Sequence, residues 1–242
     1  MVEQFKKASA ERDMILIHQN MQRTFALRRE EIVSSAPPIG ELKARWPALF
    51  CEAQLYSEFH RITNHNLPFA FFAALDNYTP KLLKLYKKRK TGIFGEKIEQ
   101  LLLAYEEQDK NNIGAARTAA LAGLPLYLKE DSSEVFKTCK EESEADQEGP
   151  VALVAVVNGE VPAGIPFEIN HVSVVLEGQV VMYHRSWTDS LVGLFGLMYA
   201  LHLSYPEKLS GFFEFIQVVL LKLDDGRKQL KPKLQALRNE LE

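Results

Sequence analysis

The chain has 242 residues, enough for one large domain or two small ones with a sizeable buried core. Hydrophobic residues make up 46% and charged residues 25%, a balance that excludes a bulk-disordered chain. The net charge of −3 gives no reason to expect a dominant polyanionic partner, and two cysteines, Cys51 and Cys139, are too few for a disulfide framework or a four-thiolate zinc site.

The start, Met1-Val2-Glu3-Gln4-Phe5-Lys6-Lys7, has no apolar signal core and no lipid-anchor motif. A cytoplasmic or nuclear location is expected. Residues 3–33 read as one amphipathic helix, because Met14, Ile17, Met21, Phe25 and Ile32 fall on one helical face. The other faces carry Glu11, Arg12, Arg23, Arg28, Arg29, Glu30 and Glu31. That stripe suits either pairing with a second helix or docking on the chain's own core. Ser34-Ser35-Ala36-Pro37-Pro38 ends it, since a residue before proline is pushed out of the helical region.

Short helices punctuated by proline follow: Ile39–Arg45, Ala48–Ile62, one after Pro68 and another after Pro80. Asn66 and Thr79 supply capping side chains ahead of those last two. Gly92-Ile93-Phe94-Gly95 reads as a turn, and Glu96–Gln108 and Asn112–Ala122 complete the set. Ser132-Ser133-Glu134 is expected to cap one helical turn through Val135, Phe136 and Cys139. The acidic run Glu141–Glu148 then marks the best candidate boundary.

Beyond it the pattern changes. Val151–Val157 is a β-branched run without polar alternation, so both its faces should be covered. Phe167–Leu176 and Gln179–Tyr183 flank Glu177-Gly178, a hairpin signature. Leu191–Leu203 and Phe212–Leu221 are apolar runs shorter than the about 18–20 residues a membrane span needs, so both are expected to be core helices. Gly193, Gly196, Ala200 and Ser204 make a smooth stripe that would let another helix or the sheet approach closely. Leu230, Leu234, Leu237 and Leu241 form the stripe of a last helix.

The expected fold is therefore α+β: mainly helical, with a small, mostly antiparallel sheet of about three strands packed against C-terminal helices. Its parts are an N-terminal amphipathic helix (1–35), a multi-helix region (36–140), an acidic loop (141–149) and the sheet with its helices (150–242). The second and fourth parts can form one continuous domain.

Catalytic motifs are sparse. His60 and His65 are five apart, which does not put both on one helical face as a zinc pair at spacing four would be. Neither cysteine sits in a nucleophile motif, there is no Gly-x-Ser-x-Gly elbow, and no phosphate loop or dinucleotide fingerprint occurs. No catalytic residue, cofactor or metal is assigned, and an enzyme is not expected. One polar feature has contrast: Lys81, Lys84 and Lys88 share a helix face, and Lys87, Arg89 and Lys90 extend it. That cluster is either a solvated helix face or a contact for nucleic-acid phosphates, the second being less favoured.

Several phrases carry a resemblance: Leu42–Phe50 (LKARWPALF), Glu58–Ile62 (EFHRI), Val175–Gly178 (VLEG), Leu194–His202 (LFGLMYALH) and Leu230–Leu234 (LKPKL). Together they resemble the region after the sterile alpha motif in the sterile alpha motif domain-containing protein 3-like family, over about Arg29 to Leu241. The resemblance implies a non-enzymatic interaction protein and supplies no site residue. The motif itself, a five-helix bundle that mediates oligomerisation, is absent from this chain. A protein-interaction or scaffold module is therefore expected, able to form a homo-oligomer through its N-terminal helix, with no membrane partner. The alternatives are a nucleic-acid-binding module using Lys81–Lys90 and an enzyme with a non-local site.

Overall fold

A computed structural model describes residues 2–88, 92–141, 149–159, 164–224 and 229–242, with the backbone alone at 92–94. Arg89, Lys90 and residues 142–148 of the acidic run lie outside the described residues.

The expected single N-terminal helix is three helices: α1 (Val2–Phe5), α2 (Met14–Arg23) and α3 (Phe25–Ser35), with a 3-10 turn at Ser9–Glu11. Two local competitions break it. Asp13 caps α2, accepting the Leu16 N–H at 2.9 Å. Thr24 donates its hydroxyl to the Asn20 carbonyl at 2.7 Å, and its backbone leaves helical geometry (φ −98°, ψ 9°). Ala36 then closes α3 in the left-handed region, donating its N–H to Ile32 O. Ile17, Met21 and Ile32 are buried, so the apolar stripe docks on the chain's own core.

Helix α4 (Ile39–Arg45) is tied to the sheet, because the Glu177 carboxylate accepts the Ile39 N–H at 2.9 Å. A 3-10 turn, Pro47–Phe50, leads into α5 (Glu52–Thr63). The break expected at Thr79-Pro80 does not occur, since α6 runs unbroken from Leu67 to Lys88 with Pro80 inside. Its buried positions Leu67, Phe71, Leu75, Thr79, Leu82 and Tyr86 keep one helical phase across the proline. Packing of that stripe outweighs the missing donor. Helix α7 (Gly92–Glu106) starts where a turn was expected, and α8 (Ile113–Leu128) continues through Pro125, past the expected end at Ala122. At Gly123 a Cβ would lie 2.4 Å from the Tyr86 ring, and that close approach admits only glycine.

The sheet has four strands in the order β1 (Phe136–Cys139), β2 (Val151–Val156), β3 (His171–Leu176) and β4 (Gln179–His184). The β2–β3 and β3–β4 pairs are antiparallel, while β1 lies parallel to β2. The helical turn expected at Val135–Cys139 is thus a strand. Its pairing is closed at both ends by Leu153 N–H to Val135 O and Val157 N–H to Cys139 O. Four residues are too few to show a strand period, and their partner lies across the acidic run. Strand β2 is covered on both faces as expected: Leu153 and Ala155 join the main core, while Ala152, Val154 and Val156 pack with Cys139 and Val175. Glu177 and Gly178 both have positive φ (50° and 71°), the geometry of a type I′ hairpin.

Helix α9 (Trp187–Ala200) is buried over nearly its whole surface and capped by Ser186. Its small-residue stripe works in two directions. A Cβ at Gly196 would meet Leu55 and Leu67 at 3.2–3.3 Å, and one at Gly193 would meet His184 Nε2 at 2.6 Å. His202, expected on this helix, follows it with φ 55°. Helix α10 (Ser210–Glu214) opens on the Glu130 carboxylate, which accepts the Gly211 and Phe212 N–H groups, and widens into a π-helical turn, Phe215–Leu220. Helix α11 (Pro232–Leu241) buries Leu234, Leu237 and Leu241. One hydrophobic cluster contains Ile17 and Leu241 and residues from both sides of the acidic run.

Candidate interaction surface

The first 35 residues are pinned from beneath and apolar above. Beneath, Arg28 and Glu58 are both fully buried and form a forked pair, Nε to Oε1 at 2.9 Å and Nη2 to Oε2 at 2.5 Å. Arg28 also donates to Met21 O and Thr24 Oγ1, and lies 5.4 Å from the Trp46 ring centroid. Arg29 is half-buried and donates to the Tyr199 and Ala200 carbonyls at the end of α9. Burial lowers the Arg29 pKa, with Glu58 opposing and Arg28 adding to that shift. Trp46 Nε1 and Arg45 both reach Glu31. Sequence pattern puts Arg28 on a solvent face, and the structure corrects this. Its partner is 30 residues away, beyond any local period.

Above, large apolar side chains face solvent. Of ten exposed large hydrophobics among the described residues, six lie here: Val2, Met14, Ile15, Leu16, Leu27 and Val33. Ile15 is 73% exposed, Leu27 52% and Val33 48%. Arg23 and Glu30 flank Leu27, both exposed and neither held by an ion pair among the described residues.

The basic helix is partly committed elsewhere. Lys81 donates to the Leu241 carbonyl at 2.5 Å and Lys87 pairs with Glu106 at 3.1 Å. Lys84 and Lys88 are exposed, and Arg89 and Lys90 fall outside the described residues. Neither cysteine is in a disulfide; Cys139 is buried and Cys51 half-buried. No group of side chains among the described residues could hold a metal ion, and no helix among them is long and apolar enough to cross a membrane.

The histidines separate. His171 starts β3 and His184 ends β4, where burial pushes the His184 pKa down and its Nε2 has no hydrogen bond. His65 is fixed locally, with Nδ1 2.8 Å from Thr63 O. His60 faces a groove of about 440 Å³ between α2 and α5, opposite His18 and Gln22, with Arg61 in its lining. Sequence reasoning missed His18, Gln22 and Arg61 as neighbours of His60. The available signal was polar pairing at helical spacing, His18 with Gln22 and Ser57 with Arg61, on two helices whose apolar faces meet the same core. A second cleft, about 460 Å³, lies among α7, α8 and β1, with Lys97 and Lys137 at an otherwise mixed wall that includes Phe136 and Trp187.

Residues 1–51, which hold α1 to α4 and the turn at Pro47–Phe50, match the family described as sterile alpha motif domain-containing protein 3, helical domain. Over those residues the chain is similar to that family. The matched span differs from the one read in the sequence, about Arg29 to Leu241. Leu42–Phe50 lies in both, the phrases from Glu58 onward lie beyond the match, and α1 and α2, set outside the resemblance, lie within it. No curated protein and no solved structure matches the chain.

Proposed function

We propose that the chain is a non-enzymatic protein-interaction module that self-associates through the solvent face of α2 and α3. The supporting observation is the concentration of exposed apolar side chains in that segment, which is also locked to the core by Arg28–Glu58. Monomeric surfaces seldom carry such a cluster without a partner. A second copy suits it because the charges are self-complementary. Arg23 closes α2 and Glu30 lies in α3, both exposed, with Leu27 between them in the sequence. Across a twofold axis near Leu27, Arg23 of each copy meets Glu30 of the other. Contact with nucleic acid is the lesser reading, since Lys81 and Lys87 already serve internal partners.

Sedimentation equilibrium over a concentration series tests this. Arg23→Glu and Glu30→Arg should each weaken the dimer, and an equimolar mixture of the two should restore it. Leu27→Asp should raise the dissociation constant about tenfold or more, the equivalent of losing one buried leucine at roughly 1.5–3 kcal/mol. A strictly monomeric mass at every concentration would sink the reading.

A further inference from the structure

The polar groove between α2 and α5 rests on an unbalanced charge cluster. Glu58 is shared: it holds Arg28 through both carboxylate oxygens and also accepts from Arg61 Nη1 at 2.9 Å. Arg29 has its own compensation in the carbonyls closing α9, where the helix dipole is negative. That leaves two guanidiniums against one carboxylate. The Arg28 and Glu58 side chains are fully buried and that of Arg61 is 11% exposed. The excess positive charge falls on Arg61, whose Nε and Nη2 are buried and make no hydrogen bond. Leaving charged donors unmet in a buried site is costly, more so than leaving neutral ones.

The groove that Arg61 lines has a matching composition. No acidic residue lines it. His18, Gln22 and His60 are exposed at its rim and make no hydrogen bond within the described protein, and each can present an N–H donor. Asn66 uses its Oδ1 on the Phe69 N–H at 3.3 Å, which leaves the amide nitrogen for the groove. The Tyr56 hydroxyl is turned outward onto Glu52, so its ring serves as a wall. At about 440 Å³ the space is within the range of small-molecule sites.

We propose that this groove binds an oxyanion, the phosphate or carboxylate group of a small molecule, with Arg61 as the anchoring cation and His18, Gln22, His60 and Asn66 as the donor rim. A single bound oxyanion offsets the excess charge and gives acceptors to the rim donors, and a turn of the Arg61 side chain brings its buried Nε and Nη2 to the anion. His18 and Gln22 share the exposed side of α2 with Ile15, so Leu27→Asp on α3, away from the groove, separates the two readings: it should weaken self-association and leave anion binding unchanged.

The test is a titration of the full chain with inorganic phosphate and, separately, with acetate, at constant ionic strength made up with chloride. Binding is followed by the histidine ring signals in NMR and by the thermal midpoint. A saturable shift of the His18 and His60 signals, with His202 unmoved, is expected for at least one anion. The anion that saturates assigns phosphoryl or carboxylate chemistry. Arg61→Gln should weaken binding about tenfold or more, as expected for loss of a hydrogen-bonded charge. Because that change also removes a Glu58 partner, Gln22→Glu at the exposed rim serves as the second variant. It should abolish binding while the midpoint without anion stays the same. Responses to both anions that match chloride, or saturation unaltered in both variants, overturn the proposal.

Discussion

Glu58 shows how much one side chain can hold. It joins α5 to α3 through Arg28 and satisfies part of Arg61, all out of water. Breaking a buried pair from one side costs about 3–5 kcal/mol, because the remaining charge is left uncompensated, whereas replacing both partners with apolar groups of similar volume can be neutral. Glu58→Ala should therefore destabilise the chain by about 3–5 kcal/mol in urea unfolding. The double change Arg28→Met with Glu58→Leu should cost less than that single one. If the double variant is the less stable, the pair contributes more than its desolvation penalty. Little of this was legible beforehand. Arg28 reads as one more charge on an amphipathic helix, since helical period reports which face a residue shares and not what waits 30 residues along. Gly196 was legible, because a small-residue stripe carries its own reason. Gly123 was not, since its need comes from the Tyr86 ring on another helix.

At the scale of elements, the local rules that failed were the ones packing could override. Thr79-Pro80 has the signature of a helix start, yet α6 passes through it with its buried stripe in phase. A proline in a helix interior costs about 3 kcal/mol, and its loss of unfolded-state freedom returns only about 0.4–1. Pro80→Ala should therefore raise stability, by roughly 2 kcal/mol, measurable as a higher thermal midpoint. A lower midpoint would mean that the bend proline imposes is needed for α6 to meet its neighbours. The hairpin at Glu177-Gly178, the doubly covered β2 and the leucine stripe of α11 were readable because each has a local period or turn signal. Parallel β1 was not, since its partner lies beyond the acidic run. The groove residues failed for a related reason. His60 was considered with His65, its neighbour in sequence, while the side chain opposite it is His18 on α2.

For the whole molecule, the question is whether the N-terminal segment is an appended arm or part of the body. Sequence pattern left both open, as pairing stripe or docked helix, because an amphipathic stripe looks the same in either setting. The structure buries Ile17, Met21 and Ile32 in the common cluster and locks Arg28 onto Glu58. Three buried side chains at about 1.5–3 kcal/mol each, with a broken buried pair at about 3–5, come to the size of a domain's whole stability, about 5–15 kcal/mol. Removing residues 1–35 should therefore abolish cooperative unfolding rather than trim it, as read by circular dichroism against temperature. Leu27→Asp, on the exposed face of the same segment, should leave the midpoint of the monomer unchanged within about 0.5 kcal/mol. The two outcomes together separate the segment's roles: deletion reports on folding, and the surface change reports on association. An undiminished midpoint after deletion would make the segment an arm, and a partner capturing the arm would then need only to compete with a weak internal contact. A collapsed midpoint means that any partner must bind α2 and α3 where they lie, with Ile15, Leu27 and Val33 exposed.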